Sequence, residues 1–107
     1  MSETVTHIDL YWRPGCPFCS ALERRLDGSP LPIERHNIWD DESAAAAVRA
    51  HADGNETVPT VVIGDVGLVN PSVGDINAAV RANAPQLAEL LGPEEPPGRL
   101  RRFLGGT

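Results

Sequence analysis

The two cysteines of the chain, Cys16 and Cys19, stand with two residues between them, at the point where one structural periodicity gives way to another. Before them, Val5 to Tyr11 (VTHIDLY) alternates. Val5, His7, Asp9 and Tyr11 fall on one face and Thr6, Ile8 and Leu10 on the other, which is the period of a strand. After them, Phe18, Leu22 and Leu26 recur at i, i+4 and i+8 with Ala21 beside them, the apolar stripe of a helix. Pro17 suits the first helical position, where no amide hydrogen bond is lost. Asp27-Gly28-Ser29-Pro30 ends the helix. A strand and a helix joined by so short a loop commit the chain to an α/β arrangement, with both thiols at the junction.

The remaining sequence extends that pattern. Ile33 to Ile38 predicts a second strand. The acidic run Asp40-Asp41-Glu42 with Ser43 precedes an Ala-rich helix over 43–52, where the acids suit the positive helix end. Asp53-Gly54-Asn55 stops it. Thr60 to Ile63 (TVVI) is a continuous apolar run, as expected of a buried strand. Gly64-Asp65 turns the chain into a fourth strand over 66–69, making a hairpin. Ser72 caps a helix reaching about Asn83, with Val73, Ile76 and Val80 on one face. The order β-α-β-α-β-β-α, two βαβ-like steps and a terminal hairpin, predicts an α/β fold with a four-stranded mixed sheet flanked by helices. We divide the chain into a domain over 1–84 and a partly flexible C-terminal extension over 85–107. The extension holds a short helix at Gln86 to Leu91, a Pro/Gly-rich linker from Gly92 to Gly98, and a small basic tail, RLRRFLGGT.

Composition bounds the function. At 107 residues the chain suits one domain with a core of its own. A net charge of −6 and a pI near 4.9 speak against nucleic acid or an anionic membrane as partner. No apolar run reaches the roughly 18 residues of a spanning helix, and MSETVTHIDL lacks the basic-then-apolar pattern of a secretory signal. A reducing cytoplasmic location follows as the expectation. There, close cysteines bind metal or perform redox chemistry more often than they staple a fold.

Three readings of the cysteine pair compete. A structural zinc site wants four ligands; the chain offers two thiols, and His7, His36 and His51 lie singly. A staple closing so short a loop removes little chain entropy. A redox pair has a mechanism. Amides of the first helical turn point at Cys16, and the positive helix end favours thiolate over thiol. Arg13 adds a permanent cation nearby, or is a solvated surface residue. Cys19, one turn on, is placed to displace a mixed disulfide formed on Cys16.

Cys-Pro-Phe-Cys after a first strand resembles the active site of the glutaredoxin family, within the thioredoxin fold. Thr57-Val58-Pro59 stands just before the third strand, where the family has a cis proline beside the active cysteine. Ordinary members carry Gly-Gly after the hairpin; this chain has Asn70-Pro71-Ser72. With Gly54 to Thr60 (GNETVPT), that segment resembles the mycoredoxins, actinobacterial members that use mycothiol. Gly15 stands where mycoredoxins often have Trp. The resemblance, over about residues 5–83, implies a thiol–disulfide oxidoreductase. Cys16 is then the nucleophile and Cys19 the resolving thiol, while Arg13, Thr57, Val58, Pro59, Asn70, Pro71 and Ser72 bind the thiol substrate. It also implies no bound metal or prosthetic group. Mycothiol or glutathione is the co-substrate. The partners are proteins carrying small-thiol mixed disulfides, with a flavoprotein disulfide reductase as a further candidate, and the state is monomeric.

Alternatives stay open at this point. They are a thioredoxin-type protein disulfide reductase recycled directly by a flavoprotein, an iron–sulfur scaffold bridged through Cys16, and a redox adaptor whose tail binds a partner. Trp12 and Phe18 either form an apolar rim to the active loop or pack inward. Trp39 is expected to pack against the second helix. Asp9 is expected to face solvent from the first strand rather than relay protons under Cys19. The histidines show no triad spacing and are expected at the surface.

Overall fold

The computed structural model describes residues 5–92. Its elements are β1 (Ile8–Trp12), α1 (Pro17–Leu26), β2 (Ile33–Asn37), α2 (Glu42–His51), β3 (Thr60–Ile63), β4 (Val66–Val69), α3 (Val73–Asn83) and α4 (Pro85–Leu91). The strands form one four-stranded sheet in the order β2-β1-β3-β4. β1 and β2 are parallel, while β3 is antiparallel to both β1 and β4. The first crossover is therefore a true βαβ unit. The second, expected to be βαβ-like, instead returns β3 on the far side of β1 in the opposite direction.

β1 begins at Ile8, later than the alternation from Val5 suggests, because its neighbour begins late. The segment before β2 contains Pro30 and Pro32, and proline has no N–H to give a ladder. Ile8 N–H takes the last available acceptor there, Pro32 O, at 3.0 Å.

Alternation divides the sheet into two faces. One carries Ile8, Leu10, Val61 and Ile63, packed with Leu22 and Leu26 of α1, Ile76 and Val80 of α3, and Leu87 of α4. The other is covered by α2 through Ala44, Ala45 and Val48, with Ile38, Tyr11 and Val58 against them. α2 presents mostly alanine, so it lies close. The His51 ring sits directly over Gly67 of β4, where a Cβ would overlap the imidazole. The expected basic tail and most of the linker lie outside the described residues. The helix at 85–91 is anchored by buried Leu87 and by Ala88 N–H donating to Ala84 O at 2.9 Å. Among the described residues no helix is long and apolar enough to cross a membrane.

Candidate active site

The site is built on the start of α1. Cys16 is the N-cap residue, with extended backbone (φ −97°, ψ 106°) and Pro17 following in the first turn. A cap side chain normally offers oxygen to an orphan amide; here sulfur does. The Cys19 N–H donates to Cys16 Sγ at 3.1 Å. The two sulfurs are joined as a disulfide, with Cα atoms 5.2 Å apart. Positive φ at Gly15 (78°) lets the chain swing from β1 into the helix, a conformation an L side chain resists. Both cysteines are nearly enclosed, Cys16 at 5% and Cys19 at 2% exposure. Phe18 between them is 65% exposed, whereas Trp12 is half-buried.

One distant segment closes on this loop. The Val58–Pro59 bond is cis, and Val58 O lies 3.7 Å from Cys16 Sγ. Thr57 O accepts from the Thr60 hydroxyl at 2.7 Å, fixing the turn into β3. On the other side of Pro59, its carbonyl accepts from Asn70 N–H at 2.7 Å. Asn70 has positive φ (51°), which turns the chain out of β4 toward α3; asparagine tolerates this better than most residues. Pro71 is buried behind it. The segments 57–59 and 70–72, at the two ends of the β3–β4 hairpin, are thus hydrogen-bonded to each other, with Val58 beside Cys16.

Ser72 has a structural task there. It forms a capping box at the start of α3: Asp75 N–H donates to the Ser72 hydroxyl and Ser72 N–H to the Asp75 carboxylate, each at 3.0 Å. Its polar groups are engaged in that cap. Arg13 also has a defined place. Its guanidinium stacks 5.7 Å from the centre of the Trp39 ring and donates to Pro14 O at 3.1 Å. Trp39, expected to pack against α2, is instead 64% exposed beneath Arg13. The short loop Asn37–Asp41 ties it there: Trp39 N–H donates to Asn37 Oδ1 at 2.9 Å. An aromatic isolated among capping residues was the available signal that Trp39 belongs to the surface.

The histidine expectation needs correction, and the Asp9 expectation holds in part. Asp9 lies on the face opposite α1, so it is not beneath Cys19. It is only partly exposed, and it holds two histidines: His36 Nε2 at 2.9 Å and His7 Nε2 at 3.2 Å from Asp9 Oδ1. His36 is also stacked on Tyr11, with ring centres 4.8 Å apart. Spacing along the chain could not show this, because the contact is made across the β1–β2 pairing. Burial raises the Tyr11 pKa above its ordinary 10.0, and the carboxylates of Asp9, Asp41 and Glu34 push it further. Asp41 caps α2, accepting from Ser43 N–H at 2.9 Å, and the Ser43 hydrogen bonds lower its pKa.

Comparison with known proteins follows the same lines. The glutaredoxin family model matches residues 8–68. Mycoredoxin 1 of Corynebacterium glutamicum is 31% identical over 81 residues, 75% of this chain and 100% of that protein. The glutaredoxin-like NrdH-redoxin of Escherichia coli, whose activity profile is described as thioredoxin-like, superposes with a TM-score of 0.52 at 25% identity. That match covers 83% of this chain and 99% of the other. A thioredoxin-like protein superposes with a TM-score of 0.58 at 22% identity over 66% of this chain and 96% of its own, a likeness of fold.

Proposed function

The chain belongs to the glutaredoxin family of thiol–disulfide oxidoreductases, and from that premise we propose that it reduces mixed disulfides between proteins and a small thiol, mycothiol before glutathione. The observation that carries the reading is the Cys16 sulfur at the N-cap of α1, receiving the Cys19 amide. That position stabilises a thiolate, through the amide hydrogen bond and the positive helix end together.

In the proposed cycle the Cys16 thiolate attacks the small-thiol sulfur of the mixed disulfide. The protein thiolate leaves and takes a proton, and Cys16 carries the small thiol. A second small thiolate then attacks that adduct, releasing the oxidised small-thiol dimer and restoring Cys16. Alternatively Cys19 attacks Cys16, releases the small thiol and closes the Cys16–Cys19 disulfide. The Thr57–Pro59 loop and the Asn70–Ser72 turn form the proposed thiol groove, in which backbone N–H and C=O groups pair with an extended ligand. Arg13, held on Trp39, and Phe18 form its rim. We assign the reaction to a monomer in the reducing cytoplasm; its thiol chemistry requires no metal or prosthetic group.

A second reading has support of its own. NrdH-redoxin is described as having a thioredoxin-like activity profile. On that reading a flavoprotein reductase restores the dithiol directly, without a small thiol.

Trapping separates the two. A Cys19→Ser variant, recovered from its native cells under acid quench, should carry mycothiol on Cys16, identified by intact mass. Turnover of the unaltered chain should depend on mycothiol and its reductase. An untagged Cys16, with full turnover on a thioredoxin-type reductase alone, favours the second reading. A Cys16→Ser variant retaining full reductase activity would sink both.

A further inference from the structure

On the α2 side of the sheet, at the β1–β2 edge, four side chains converge that the thiol chemistry does not use. β1 and β2 are parallel with Asp9 paired to Glu34 and Tyr11 paired to His36. His7 precedes Asp9 by two residues and His36 follows Glu34 by two, so all four share one face. His7 Nε2 lies 3.2 Å from Asp9 Oδ1 and 3.7 Å from Glu34 Oε2. His36 Nε2 lies 2.9 Å from Asp9 Oδ1 and 3.7 Å from Glu34 Oε1. We propose that His7, Asp9 and Glu34 form a binding site for a divalent transition cation of the zinc class, with His36 held beside it on Asp9 Oδ1.

The spacing suits such an ion. Zinc bonds to imidazole nitrogen and carboxylate oxygen at about 2.0–2.2 Å, so tetrahedral ligand atoms sit about 3.3–3.6 Å apart. The two His7 spacings, 3.2 Å to Asp9 and 3.7 Å to Glu34, lie on either side of that range, and the ligand atoms of His7, Asp9 and Glu34 all lie within 4.8 Å of one another, leaving the fourth position to water. The two carboxylates carry the charge that a divalent cation cancels. Directly paired like charges destabilise adjacent strands, and an ion between Asp9 and Glu34 converts that repulsion into a crosslink. Imidazole ligands select zinc, nickel, cobalt or copper over magnesium and calcium. Thr6 Oγ1 lies 3.3 Å from His7 Nδ1 and can accept its proton, the tautomer that leaves Nε2 free to ligate. Tyr11 stacks on His36 and holds that ring in place. The site is reachable from solvent, since Glu34 is 60% exposed and the other three about a third or less.

The test uses the full chain in its disulfide form, so that neither cysteine can ligate. After chelation, calorimetric titration with Zn²⁺ should give one ion per chain and raise the thermal midpoint at saturation. Co²⁺ should show the intense visible bands of a tetrahedral site. His7→Gln and Glu34→Gln should each weaken binding at least about tenfold and remove most of the thermal shift. His7→Gln and Glu34→Gln are the deciding variants, with metal-free melting curves confirming their fold. No binding at millimolar Zn²⁺, unchanged affinity in His7→Gln and Glu34→Gln, or one ion shared between two chains overturns the proposal.

Discussion

The Cys19 N–H donates to Cys16 Sγ at 3.1 Å, so the sulfur that caps α1 is also the one beside the cis Val58–Pro59 segment. One atom serves helix and candidate chemistry together, and the two uses can be separated. Serine is a preferred N-cap, whereas alanine at a cap costs about 1 kcal/mol. Under reducing conditions Cys16→Ser should therefore unfold in urea at a higher midpoint than Cys16→Ala, with both inactive as reductases. Equal midpoints would mean that the side chain at 16 does not cap the helix.

Ser72 and Asp75 lie just after the turn at Asn70, and their reciprocal hydrogen bonds set how α3 begins. Ser72→Ala should lower stability by about 1 kcal/mol. Combined with Asp75→Ala the losses should be less than additive, because each variant already breaks the shared box. Strict additivity in a double-mutant cycle would separate the two residues.

Gly67→Ala should destabilise by about 1–3 kcal/mol, because the new methyl overlaps the His51 ring close to its backbone. Adding His51→Ala should recover only part of that loss, because the His51 Cβ itself would lie 2.6 Å from the new methyl. If it recovers none, the clash lies elsewhere in the hairpin.

Leu87 is buried against the same core as Ile76 and Val80. Leu87→Ala should cost about 2–5 kcal/mol, and a chain ending at residue 84 should lose at least as much. A truncated chain that melts like the full one would return α4 to the status of an appendage.

Tyr11 is the sole tyrosine, and the nine basic residues are all Arg, so no lysine titrates with it. Its folded pKa is raised above 10.0 by burial first and by Asp9, Asp41 and Glu34 next. Between the unfolded and folded values the folded chain keeps a proton the unfolded chain has lost. Stability present below pH 10 is therefore lost as pH climbs through the folded pKa. Phenolate absorbance of the disulfide form should titrate with a midpoint above 10, and Tyr11→Phe should flatten the alkaline decline of urea stability. A midpoint at or below 10 would contradict the burial of that ring.

Elements with a clear local period were legible from the sequence: α1, β3, β4 and α3 begin and end where apolar spacing, Pro17, Gly64 and Ser72 put them. So was the cysteine junction, since a strand, a Pro-Gly loop and a helix start are all local signals. Contacts that cross strands or join loops were not. Local spacing could not show that Asn70 would donate to Pro59, that Arg13 would lie on Trp39, or that Asp9 would gather His7 and His36. These depend on strand order, direction and register, which arise when burial of two apolar faces fixes β1 between β2 and β3. The sequence by itself determined that a thiol pair would cap a helix behind a strand. Tertiary structure decided what stands around that pair, because side chains far apart along the chain meet only after the sheet has chosen its pairing.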